Sequence, residues 1–226
     1  MELQLQDNVA VIDINDGKAN VVGHQFMDEI SGLLQQAQEQ ADAVVIKANA
    51  SVFSAGFDLK EINKGKQETG VLLKRGMQLL IDLYAHPQPL IVACEGHAVG
   101  IGAFILLAAD NRIGSDANYS VALPETKIGM AFTPVLLELI HSRIPAEFHA
   151  QVALQSKQLT PQQAVKMGFL DELVEQPLEQ AIALAKELAE LPKEFYARNK
   201  SDLRFESIDY MMATKDDLSC LDIRPD

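Results

Sequence analysis

Residues 90–109 constrain what this chain can fold into more than any other stretch. Leu90-Ile91-Val92-Ala93-Cys94 is a short apolar run led by Pro89. Gly96, Gly100 and Gly102 then interrupt it, and a second apolar run reaches Ala109. A run of this length without polar alternation is expected of a strand buried on both faces. The second run lacks β-branched crowding, so the stretch predicts strand, glycine turn and buried helix. The start of such a helix carries unpaired backbone N–H groups, where the helix dipole favours negative charge. Gly100 and Gly102 remove side chains where another group could approach that backbone. Taken alone, the stretch reads as a tight turn with small residues for packing. The sharper reading is a site for an anionic oxygen.

Several function classes are set aside by composition. With 226 residues and 48% hydrophobic content, the chain can bury one large core. A formal charge of -13 argues against nucleic acid as the main partner, since phosphate neutralisation needs a basic surface. The absence of Trp and an aromatic content of 6% leave no stacking platform for bases. Cys94 and Cys220 make no disulfide framework and fit a reducing compartment. No apolar run approaches the ~20 residues of a membrane span. The first residues, Met1-Glu2-Leu3-Gln4, lack the character of a signal peptide. The expectation is a cytoplasmic protein with no membrane partner. The histidines at 24, 86, 97, 141 and 149 show no metal-ligand spacing.

Along the chain, Leu3 to Ile14 reads as a hairpin around Asp7-Asn8. Phe26, Ile30, Leu33, Leu34 and Ala37 recur at helical spacing, and Ala43 to Ala48 is a buried strand. That strand leads into a second glycine-bearing turn, Phe53-Ser54-Ala55-Gly56-Phe57-Asp58-Leu59. Lys60 to Lys66 is basic and polar; Val71 to Tyr84 carries another amphipathic helix, stopped by His86-Pro87-Gln88-Pro89. Asn111 to Ser115, Tyr119 to Ala122 and Phe169 to Val174 read as strands. Thr133-Pro134 and Thr160-Pro161 pair a capping hydroxyl with proline at the first helical position. Leu178 to Leu191 is helical, and the chain from Lys193 is mostly so. We expect an α/β core domain over residues 1–190 and a helical C-terminal extension over 191–226.

Several motifs in this order resemble the crotonase (enoyl-CoA hydratase/isomerase) superfamily over about residues 1–190. Phe53 to Leu59 is similar to that family's first oxyanion loop, and Gly96 to Gly102 to its second. Asp110-Asn111-Arg112-Ile113 is similar to the strand that follows. Leu123-Pro124-Glu125 with Ile128-Gly129-Met130 is similar to its catalytic-carboxylate loop, and Ala164, Gly168 and Val174 fall in its A-x-x-x-G-x-x-x-x-V stretch. The resemblance implies a spiral of β-β-α turns with a helical trimerisation region, assembled as a homotrimer or a dimer of trimers.

It also implies an acyl-CoA thioester as substrate, with no separate cofactor, because coenzyme A is part of the substrate. The thioester carbonyl would accept hydrogen bonds from the backbone N–H groups of Phe57 and Ile101. A glutamate after a proline in a loop is, on its own, a solvated surface carboxylate; the resemblance instead makes Glu125 the general base. Lys18-Ala19-Asn20 matches the family's adenine-side loop, and Ala55 would let pantetheine pass close to the chain. Lys60, Lys64 and Lys66 are further candidates for the CoA phosphates or, equally, a solvated helix start. Asp58, His97 and Asp110 are expected to be structural.

One position departs from the hydratases. They use two glutamates, one at 125 and one where this chain has Phe104. Δ3,Δ2-Enoyl-CoA isomerases also carry an apolar residue there and rely on one glutamate. The run Tyr119 to Gly129 is more similar to theirs, which implies an isomerase moving a double bond from the 3 to the 2 position. The alternatives are a hydratase-like enzyme, an acyl-CoA hydrolase or a decarboxylase. A non-catalytic CoA- or RNA-binding module is a further alternative, disfavoured by the acidic balance and by the intact Glu125.

Overall fold

The computed structural model describes residues 1–223; the last residues of the predicted extension lie outside them. The chain opens with a hairpin, β1 (Glu2–Gln6) and β2 (Val9–Asp13), turning through Asp7 in the left-handed region. Helix α1 (His24–Gln40) returns the chain to β3 (Ala43–Lys47). Three similar turns follow. The first is β3, β4 (Val52–Ser54), α2 (Leu59–Ile62) and α3 (Lys66–Tyr84). The second is β5 (Leu90–Cys94), β6 (His97–Val99) and α4 (Ile101–Ala108). The third is β7 (Asn111–Gly114), β8 (Val121–Ala122) and α5 (Pro134–Arg143). After a π-helical turn at Ala150–Leu154 come α6 (Pro161–Lys166), β9 (Glu172–Leu173), α7 (Pro177–Ala189), α8 (Lys193–Leu203) and α9 (Phe205–Thr214).

Each turn gives one strand to each of two sheets. The larger runs β1-β2-β3-β5-β7-β9, parallel except for the opening hairpin; the smaller is β4-β6-β8, parallel throughout. This is the crotonase-type spiral with a helical C-terminal region. In the larger sheet the pleat sends alternate residues to opposite cores. Val9, Val11, Ala43, Val45, Ile91 and Ala93 pack under α7, against Ala181 and Ala185. Ala10, Ile12, Val44, Ile46, Leu90 and Val92 enter the main core with α1, α3 and α4. Burial on both faces accounts for the unbroken apolar runs of β3 and β5.

The smaller sheet was not legible as strands. Gly96 to Gly102 reads as one turn, yet it contains β6, and the first glycine turn begins with β4. Two or three residues are too few to show an alternation. The segment read as basic and polar from Lys60 holds the short α2, capped by the Asp58 carboxylate, which accepts from the Lys60 N–H at 2.8 Å. The last strand shrinks to Glu172–Leu173, because Phe169 and Leu170 turn into the core as the chain leaves α6. The cap signals hold: Thr133 accepts from Leu136 N–H, and Thr160 forms a capping box with Gln163. No helix among the described residues is long and apolar enough to cross a membrane.

Residues after 191 are tied to the body by a buried carboxylate. Asp110, just beyond α4, accepts from the Leu90 N–H at 2.8 Å and pairs with Lys200 at 2.7 Å and Arg204 at 2.8 Å. Tyr196 donates its hydroxyl to the same carboxylate, and Arg204 lies 4.2 Å from the Tyr84 ring centre. Burial pulls the Lys200 ammonium down to about 8. Further along, Met211 of α9 enters the main core. Removing one partner of such a pair leaves the other charges buried and uncompensated. Asp110→Ala is therefore expected to destabilise the fold by about 3–5 kcal/mol, measured as a fall in the denaturation midpoint. A loss below ~1 kcal/mol, the value of an exposed pair, would remove the buried network as a stabilising element.

Candidate active site

The three strands of the smaller sheet end side by side, and each releases its chain into a different wall of one cavity. From β4 the chain enters Ala55 to Asp58. There the Gly56 carbonyl accepts from Val22 N–H at 2.8 Å and the Asp58 N–H donates to the Val22 carbonyl at 3.1 Å. Phe57 lies between these two bonds as the partner of Val22 in a parallel bridge, so its own N–H faces away from Val22. That N–H makes no hydrogen bond among the described residues. From β6 the chain passes through Gly100, whose φ of +54° lies in the region that favours glycine, and starts α4. The Ile101 N–H is the first of the helix and likewise has no partner among the described residues. From β8 the chain reaches Leu123-Pro124-Glu125.

These three ends lie in contact. A Cβ at Gly100 would stand 3.4 Å from Glu125 Oε1 and 4.0 Å from Gly56 Cα. A Cβ at Gly102 would come within 2.6 Å of the Ser54 carbonyl oxygen, which the backbone cannot yield. Gly102 thus sets how closely α4 sits on the first turn. Phe57, Ile101, Glu125 and Ala55 all line a cavity of about 410 Å³, to which Ile62, Leu73 and Leu136 add apolar wall. Apart from Glu125, the polar side chains on its wall are Asn63 and Thr133. The Thr133 hydroxyl is already engaged, donating to Met77 Sδ and accepting from Leu136 N–H.

Glu125 is 6% exposed, and its Oε2 has no hydrogen-bond partner. Burial without a compensating charge pushes its carboxyl up to about 7. Phe104 lies elsewhere: it is 0% exposed within α4, edge-on to Phe132 with ring centres 6.2 Å apart, and does not line the cavity. Lys18 and Ala19 do not line it either, but their loop is joined to it. The Ala55 N–H donates to the Ala19 carbonyl at 3.0 Å, and Lys18 is exposed beside that junction. None of Lys60, Lys64 and Lys66 lines the cavity, and Lys64 pairs with Glu61 at 2.7 Å. His97 is exposed and bonds Ser120 through Nδ1. No cluster of metal-ligating side chains occurs among the described residues.

Two contributions were not foreseen. Asn20, fully buried at φ +49°, donates its amide to the Val52 and Phe53 carbonyls, while its own carbonyl accepts from Ser54 Oγ. It latches the 18–20 loop to β4. An asparagine beside Lys18-Ala19 is a signal for a left-handed turn, though not for that partner. The apolar wall, Leu73 and Leu136, comes from ordinary amphipathic positions that carry no mark in the sequence.

Comparison with known proteins places the chain in a family. The model of the enoyl-CoA hydratase/isomerase family matches residues 4–214. The structure of a Pseudomonas syringae protein, described as an enoyl-CoA hydratase/isomerase family protein, is 31% identical. It superposes with a TM-score of 0.91, covering 94% of each chain. A Mycobacterium tuberculosis protein, 31% identical with a TM-score of 0.90 over 95% of each chain, is described as an enoyl-CoA isomerase. A second structure of that protein, at a TM-score of 0.91, describes it as a probable enoyl-CoA hydratase. Human mitochondrial Δ3-Δ2-enoyl-CoA isomerase, at 22% identity and a TM-score of 0.88 over 95% of this chain and 87% of its own, shares the fold. Two unclaimed backbone donors and a buried glutamate meet in a spiral that this family model spans almost from end to end, and the chain belongs to the enoyl-CoA hydratase/isomerase family.

Proposed function

We propose that the protein is an enoyl-CoA isomerase that converts a 3-enoyl thioester into the conjugated 2-enoyl thioester, with Glu125 as its single base. The observation that carries this reading is that Glu125 is the one ionisable side chain among the residues lining the cavity. The thioester oxygen accepts from the N–H groups of Phe57 and Ile101. The Glu125 carboxylate takes a proton from C2, and the negative charge moves onto that oxygen. Preorganised donors of this kind supply about 10²–10³ in rate each. The double bond shifts, and Glu125 returns the proton at C4, so no atom is gained or lost. Adding water needs a second group to handle a proton while the first activates the water. Position 104 holds a sealed phenyl ring instead, and the Thr133 hydroxyl is committed. The apolar wall suits a hydrocarbon acyl chain. In this reading Lys18 and Ala19, whose loop bonds to Ala55, meet the nucleotide end of coenzyme A, which enters as part of the substrate. A hydratase is the second reading, favoured by the descriptions of several relatives at 30–31% identity, from three mycobacterial species, as hydratases.

A proposed homotrimer or dimer of trimers would cover side chains that the single chain leaves bare, among them Leu154, Leu203 and Phe205. Light scattering at micromolar concentration is expected to give three or six chains, and a monomer would reject this assembly.

The reading is tested with 3-hexenoyl-CoA, following the absorbance of the conjugated product. Glu125→Gln keeps size and shape but cannot accept the proton, so kcat should fall by about 10²–10⁴ with KM little changed. Wild-type kcat/KM should rise with pH through a midpoint near 7, where the buried carboxyl ionises. Wild-type hydration of crotonyl-CoA at a comparable rate would sink the single-base mechanism.

The same burial has a stability consequence. In the unfolded chain Glu125 ionises near the ordinary glutamate value of 4.5, and in the fold near 7. The protonated fold is favoured fully below 4.5, and that advantage is lost as pH rises to 7, at a cost of about 3 kcal/mol. Glu125→Gln is therefore expected to melt above wild type at pH 8, with the difference shrinking on acidification through that window. An equal Tm at pH 8 would mean that the carboxyl is solvated.

A further inference from the structure

With no hydrogen bond to hold Oε2, the place of the Glu125 carboxylate is set by the backbone that carries it. That backbone is clamped from one side by residues 150–159. At the near end, Val121 and Leu159 exchange both backbone hydrogen bonds, at 3.0 and 2.9 Å, so β8 is pinned just before it releases the glutamate. Immediately after the glutamate, Thr126 donates its hydroxyl to the Ala153 carbonyl at 2.7 Å. One residue further, the Lys127 N–H donates to Ser156 Oγ at 3.2 Å.

The clamp depends on two irregularities. In an α-helix the Ala153 carbonyl would be taken by the N–H of Lys157. Here the turn is π-helical: Gln155 N–H donates to Ala150 and Lys157 N–H to Gln151, which leaves the Ala153 carbonyl to Thr126. Ser156 then sits at φ +47°, a left-handed conformation that disfavours any residue with a Cβ. It is buried, and glycine would adopt that backbone without strain. A serine held in strain, with its hydroxyl on the loop that follows the base, points to a use for the hydroxyl.

We propose that residues 150–159 position the base, with Thr126 and Ser156 as positioning residues that fix the Glu125 carboxylate against the two oxyanion donors. This rests on the reading of Glu125 as the base. A merely structural role would move stability and leave turnover intact; a positioning role separates the two.

The test uses the full chain, 3-hexenoyl-CoA and four variants. Thr126→Val keeps the shape and loses the bond to Ala153; its kcat should fall by about tenfold, within what an ångström of misplacement costs, with KM within about twofold. Thr126→Ser should restore most of that loss. Ser156→Gly should also lose kcat by about tenfold, while relief of strain keeps Tm at or near the wild-type value. Glu125→Gln is the control. If it is inactive while Thr126→Val and Ser156→Gly keep kcat within twofold of wild type, the positioning role is overturned and the base stands. If Glu125→Gln is as fast as wild type, the base itself is wrong and the proposal falls with it. Should wild type not turn over the probe, ¹³C NMR titration of Glu125 replaces the rate. A carboxyl released by Thr126→Val would gain solvent, so its midpoint should fall below the wild-type one toward the ordinary range, and an unmoved midpoint rejects the clamp.

Discussion

Everything at the candidate site depends on three very short strands lying parallel. β4, β6 and β8 are too short to hold together on their own pairing; they are kept in register by the larger sheet, whose strands alternate with them along the chain. Because the pairing is parallel, all three C-terminal ends emerge on one side. That single constraint brings two backbone N–H groups and one carboxylate to a common cavity, although Phe57 and Glu125 are far apart in sequence. The close fit of Gly102 on Ser54 sets the spacing between the two turns. A side chain at that contact would force apart the two turns that carry the Phe57 and Ile101 N–H groups.

The cavity then uses burial for chemistry at the expense of stability. An ionised glutamate with a bare oxygen among apolar side chains is a poor structural choice. The same surroundings make it a stronger base and place its ionisation near neutrality. The fold sustains this cost through the larger sheet, which is packed on both faces.

The sequence shows this division unevenly. β3, β5 and the amphipathic helices are legible because burial on both faces, or on one stripe, leaves a pattern several residues long. The glycine turns are legible because Gly100 and Gly102 stand where only a missing Cβ fits. The small sheet is illegible, since its strands are shorter than the period that would reveal them. Glu125 can be found only through the order of motifs around it, because nothing in Leu123-Pro124-Glu125 marks burial. Asn20, Thr126 and Ser156 are missed for a related reason. Their roles lie in hydrogen bonds to distant backbone atoms, and a polar residue in a loop gives no sign of which carbonyl it will meet.

The Asp110 network bears on the order in which the molecule is completed. Asp110 lies just beyond α4 at the end opposite Ile101, and its cations, Lys200 of α8 and Arg204 just after it, come about ninety positions later in the chain. During synthesis, the helix that offers the Ile101 N–H is therefore made long before the charges that anchor its far end. Until Lys200 and Arg204 emerge, Asp110 lacks the cations that pair with it in the fold. The buried anchor at the far end of α4 is thus completed only when the C-terminal helices dock.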